Sequence, residues 1–113
     1  MRKPAMMRLT TACGMLVAAL WLSAAAQAEP FAKADPRIGE KLHAEAKCNA
    51  CHASRMGGDG GRMYTRPGHK VKDAQGLLKM VQFCVDRTGA MVFPEDVVHI
   101  AAYLNRQFYK FQQ

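Results

Sequence analysis

Residues 35–52 read DPRIGEKLHAEAKCNACH, and two patterns overlap in them. The first is a helix start. Asp35 is a residue type that caps free backbone N–H groups, and Pro36 suits the first helical position. Ile38, Leu42 and Ala46 then recur every four residues, which predicts an apolar stripe along one helix face. The second pattern is C-x-x-C-H over residues 48–52, which ends that predicted helix. Residues three and four apart share a helix face, so Cys48, Cys51 and His52 converge on one volume of space. Three chemistries use such a set: a zinc site, a redox dithiol and a covalently attached haem.

The N-terminal side of this stretch narrows the choice. Arg2, Lys3 and Arg8 precede the uncharged run LTTACGMLVAALWL, and SAAAQAEP follows with Ala26 and Ala28 flanking Gln27. That three-part pattern predicts a secretory signal peptide over residues 1–28, cut after Ala28, and hence export to the periplasm. The rival is an uncleaved membrane anchor, since the apolar run approaches spanning length; the A-x-A site favours cleavage. The 113 residues less this leader leave 85, one domain over residues 29–113. A chain of that size buries only about 60% of its unfolded surface, and such domains usually need a cross-link, a metal or a buried cofactor.

The cysteine count decides among the three chemistries. Beyond the leader only Cys48, Cys51 and Cys84 remain, an odd number for a disulfide framework. A structural zinc ion takes four ligands, commonly from two separated pairs, and no second C-x-x-C follows. A thioredoxin-like dithiol needs a strand ahead of the motif, and the pattern there is helical. The motif therefore reads as a c-type haem site. Cys48 and Cys51 form the thioethers, and His52 is the proximal ligand of the haem iron.

The remainder predicts a helical wrapper. MGGDGGRMYTRPGHK over residues 56–70 is loop by its glycines and proline. Asp73 caps a second helix with Leu77, Leu78, Val81, Cys84 and Val85 on its inner face, and RTGAMVF ends it. Pro94, Glu95 and Asp96 open a third, with Val97, Ile100, Ala101, Leu104 and Phe108 as its stripe. With no alternating strand pattern the fold is all-α, three main helices around one haem. His43 and His99 read as packing residues at helix edges, His69 as a solvated loop residue, and Cys84 as a small buried apolar side chain.

These segments resemble the class I monohaem cytochromes c. IGEKLHAEAKCNACH looks like that family's N-terminal helix running into its haem motif, and EDVVHIAAYL looks like its C-terminal helix. The resemblance implies a small cytochrome c-like fold whose first and last helices cross at Gly39, with Tyr103 packed against the crossing. A narrower likeness links FCVDRTGAMVFPEDVVHIAAYL to the oxygen-binding sphaeroides haem proteins, where an Asn–Cys pair ends the penultimate helix. Cys84 matches that cysteine. Phe83 stands in place of the Asn, and Val92 in place of the second, disulfide-forming cysteine.

In the class I family the distal methionine comes from a loop before the last helix, which assigns that role to Met91, with Met80 as second choice and an open or exchangeable site as the third. Met56 and Met63 are weaker candidates beside the Gly-rich turn. The expected function is a one-electron carrier in the periplasm; the alternative is binding or sensing of a diatomic gas (O2, NO or CO) at a weakly held distal position. No Ser/His/Asp set, phosphate loop or paired acid motif argues for an enzyme, though a subunit feeding electrons to a larger redox enzyme fits the same residues. Without the three basic leader residues the net charge of +7 falls to +4, which suits a redox partner with an acidic docking face. Lys70, Lys72, Lys79, Arg62 and Arg66 form either a solvated face or part of that docking edge. The charge is too small and scattered for nucleic acid, and membrane attachment requires an uncleaved leader.

Overall fold

The computed structural model describes residues 29–112, so the expected leader lies outside the described residues. Among the described residues the chain is mostly helical and has no strand, as an all-α reading requires. The elements are α1 (Pro36–Glu45), α2 (Cys48–Met56), α3 (Arg62–Thr65), α4 (Ala74–Thr88) and α5 (Val97–Leu104). A 3-10 turn over Pro94–Asp96 leads into α5, and a π turn over Asn105–Tyr109 continues it. No described helix is long and apolar enough to cross a membrane.

The caps read from sequence form. The Asp35 carboxylate accepts the Arg37 N–H at 2.9 Å, and the Asp73 carboxylate accepts the Gly76 N–H at 2.6 Å. Gly89, with φ of +64°, ends α4 in the left-handed conformation that glycine adopts without steric cost.

Two boundaries differ from expectation, so that five α-helices stand among the described residues where three main ones are expected: Arg62–Thr65, inside the stretch read as loop, form the short α3, and the helix before C-x-x-C-H is broken. The predicted single helix running into C-x-x-C-H is two helices, and the motif opens the second instead of closing the first. Lys47 adopts a left-handed conformation with φ of +56°, which no α-helix interior tolerates, and the backbone turns there. The motif thus stands at the start of its own helix, aimed independently of α1.

The most extensive packing joins α1 to α5. At Gly39 a Cβ would lie 1.8 Å from the His99 carbonyl oxygen, so only glycine permits the approach. This crossing reorganises the face of α1. Gly39 and His43 are its buried residues, whereas Ile38 is 44% exposed and Leu42 and Ala46 are half-buried. The expected Ile38–Leu42–Ala46 stripe is displaced because the closest backbone contact, not the bulkiest side chain, sets the buried line. Tyr103 packs on the His43 ring, one turn along from Gly39, at 5.3 Å between centroids. His99 fastens the same end, its Nδ1 accepting the Asp35 N–H at 2.9 Å. The α5 stripe is buried as expected at Val97, Ile100, Ala101 and Leu104, with Phe108 half-buried. Leu77 and Val81 of α4 join this core.

Candidate functional site

Helix α4 packs on α5, while α2 packs on α1 and α3. Between these two groups lies a cavity of about 570 Å3. That volume is within the ~300–1,000 Å3 range of small-molecule and cofactor sites. Cys48, Cys51 and His52 of α2 line one side, joined by Tyr64, His69 and Tyr109. Leu77, Met80, Val81, Cys84 and Val85 of α4 line the other, with Ile100 and Leu104 of α5 between the two.

The three motif residues are together on this one cavity, yet the described residues bring no three His, Cys, Asp or Glu side chains close enough to hold a single metal ion. The cavity is large and its lining mainly apolar. Burial pushes the thiols of Cys48 and Cys84 up, and in each case a neighbouring cysteine across the cavity adds to the effect.

His52 is half-buried, and burial holds its imidazole below the usual histidine range. Its Nδ1 is buried with no hydrogen-bond partner among the described residues. The Tyr64 ring meets it edge-on, with centroids 5.0 Å apart and planes at 71°. Tyr64 in turn shares a 2.7 Å hydrogen bond with Nε2 of His43, and both side chains are buried, at 7% and 2% exposure. Desolvation drives the two groups apart in protonation, the phenol upward and the His43 imidazole down to about 4, so both are neutral at pH 7.

The structure locates the expected distal donors unevenly. Met91 is 98% exposed and does not line the cavity. Ala90 accepts the Val92 N–H at 2.8 Å, which closes a three-residue turn and leaves the Met91 side chain at its apex. Met80, the second choice, lines the cavity, as does Cys84 one helical turn further along the same face. Met63 also lines it and Met56 does not. His69, read as solvated, is half-buried against Tyr109, with its Nδ1 buried and unpartnered among the described residues. Cys84 is half-buried on the cavity, not sealed in the core.

One feature went unread in the sequence and another was read only in part. Tyr64 had no role assigned, and its only signal was an aromatic residue isolated in a Gly-rich loop. The other is electrostatic: Lys47, Arg55, Arg66, Lys70 and Arg87 all border the cavity, no Asp or Glu does, and none of the five forms an ion pair among the described residues. Of the cations expected at an edge, Arg66 and Lys70 are among these, whereas Arg62, Lys72 and Lys79 are not. Such a rim complements a ligand or surface bearing carboxylates. No family model, curated protein or solved structure matches the chain.

Proposed function

We propose that the chain is an exported monohaem c-type cytochrome that carries single electrons between redox partners and is not itself an enzyme. The observation that carries this reading is the convergence of all three C-x-x-C-H side chains on a cofactor-sized, largely apolar cavity. The residues fit the group. Cys48 and Cys51 would bear the two thioethers, and His52, which lines the same cavity, would be the proximal iron ligand. The five unpaired cations at the rim would face the haem carboxylates and an acidic partner surface. When bound, the haem supplies a reversible one-electron change at iron.

The chain's own residues then do three things in this reading. Leu77, Val81, Ile100 and Leu104 exclude water, which sharpens every charge effect inside the cavity. Met80, facing the cavity from the α4 wall, becomes the preferred distal donor over the exposed Met91. The basic rim steers an acidic partner to the cavity mouth, a contact that weakens as salt rises.

The test is spectroscopic. Protein produced with an intact haem-attachment system should give a c-type pyridine haemochrome, and His52→Ala should lose the low-spin spectrum even where attachment survives. A native six-coordinate spectrum in His52→Ala would overturn the ligand assignment. Met80→Ala should change the oxidised spectrum and Met91→Ala should leave it as it is.

A second reading, binding of a diatomic gas, draws on a specific feature: apart from Met80 and Cys84, the α4 wall presents the apolar Leu77, Val81, Phe83 and Val85 before its polar last turn at Arg87 and Thr88, and the loop donor is outside. Rapid, complete uptake of CO by the reduced protein at neutral pH favours this reading. Resistance to CO together with a Met–iron band favours electron transfer.

A further inference from the structure

Resting on the reading of His52 as the iron ligand, we propose that Tyr64 and His43 act together as positioning residues for His52, fixing the orientation of its imidazole through packing instead of a hydrogen bond. The starting point is what His52 lacks. A ligating histidine almost always donates its second ring N–H to a carboxylate, a carbonyl or a water, and that bond sets the ring orientation. Here Nδ1 of His52 is buried and has no partner among the described residues. Among the described residues, ring packing is what is left to set the orientation of the imidazole.

Tyr64 occupies the required place. It stands edge-on to His52 at 5.0 Å and 71°. An edge-to-face contact of this kind is directional and resists rotation of either ring. The local backbone cannot hold Tyr64 there unaided, because α3 is four residues long and follows a glycine-rich loop. The His43 bond supplies the anchor, tying α3 to α1 across 21 residues of sequence at 2.7 Å. His43 is itself clamped, packed on Tyr103 and buried beside the α1–α5 crossing, the most extensive packing in the fold. Phe108 closes on the Tyr64 ring at 4.9 Å. Orientation is thus passed from the crossing to His43, then to Tyr64, then to His52.

The rival explanation is that the pair is a self-satisfied polar filler of the core. The two differ in what the iron senses. The experiment uses the haem-loaded wild type, Tyr64→Phe, His43→Leu, His43→Gln and the Tyr64→Phe/His43→Leu double variant, read by low-spin EPR of the oxidised form and by midpoint potential. Tyr64→Phe keeps the ring and removes only the hydroxyl. The expected result is a shifted or broadened low-spin signal and a displaced potential in Tyr64→Phe and His43→Leu. His43→Gln returns both toward wild type, since an amide can hold the phenol. The double variant matches the singles, because each removes the same bond. Wild-type signals and potentials in Tyr64→Phe would overturn the proposal, and that variant alone decides the matter if His43→Leu fails to fold. A wild-type protein without any c-type haemochrome overturns the proposed function and this inference together. A normal haemochrome with unmoved variants overturns the inference alone.

Discussion

The α1–α5 crossing and the cavity beside it are built on opposite principles. At the crossing every demand is met internally: Gly39 lets the backbones touch, His99 accepts the Asp35 N–H, and Val97, Ile100 and Ala101 are almost fully excluded from solvent. At the cavity demands are left open. Two imidazole nitrogens are buried without partners, cations ring the edge without carboxylates, and the apolar walls face one another across empty volume. The first region folds the chain. The second is the cavity that the proposed function assigns to a cofactor.

The comparison can be broken most forcefully at Gly39. Gly39→Ala sets a methyl against the His99 carbonyl, and the expected loss exceeds about 3 kcal/mol, a large part of what so small a domain holds. Urea unfolding should register it whether or not a cofactor is bound. A near-neutral result would mean that the crossing yields easily and is not the rigid half of the molecule.

The cavity side is tested next, by pH. Unfolded, His43 takes up a proton near pH 6.5; folded, burial and then the nearby His52 delay uptake to about pH 4. Between those values the unfolded chain binds more protons. Stability is therefore full above pH 6.5 and falls as the pH drops toward 4, by on the order of 3 kcal/mol. Urea titrations of cofactor-free protein across that window should follow this slope, and His43→Gln should remove most of it. A wild-type curve flat from pH 7 to 4 would put His43 outside the buried wall described above.

Smaller effects sharpen the boundary between the regions. Asp73→Ala deletes the cap of α4, the cavity wall anchored through α5, and should cost about 1 kcal/mol in thermal unfolding. Arg106→Ala removes an exposed 3.8 Å ion pair with Glu40 and should cost about 0.3 kcal/mol. A loss above about 1 kcal/mol there would show that charge, and not close packing, holds α1 against the chain end that follows α5.

Much of this architecture is legible in the letters, for reasons that can be stated. Asp35, Pro36, Asp73 and Gly89 act through their own backbone neighbourhood, so their roles are local and readable. The α5 stripe is readable because four of its five residues face one continuous core. The α1 stripe misleads because periodicity reports the faces of a single helix and not which face a partner backbone will approach. Where the Met91 side chain points is unreadable for a related reason. Its place in the chain fits a distal loop, but a three-residue turn carries its side chain to solvent. Tyr64 and His69 are unreadable as site residues because what brings them to the cavity is contact with α1 and with the turn after α5, both remote in sequence.

The amino-acid sequence by itself determined the starts of α1 and α4, their caps and the C-x-x-C-H set, because each depends on bonds and spacings within one or two turns of chain. Only the tertiary structure decided that Gly39 and His43 form the buried line, that Met80 and not Met91 borders the cavity, and that Tyr64 stands against His52. The physical reason is that burial, desolvation and ring contact are properties of pairs of elements, and pairing is settled only when α1 closes on α5.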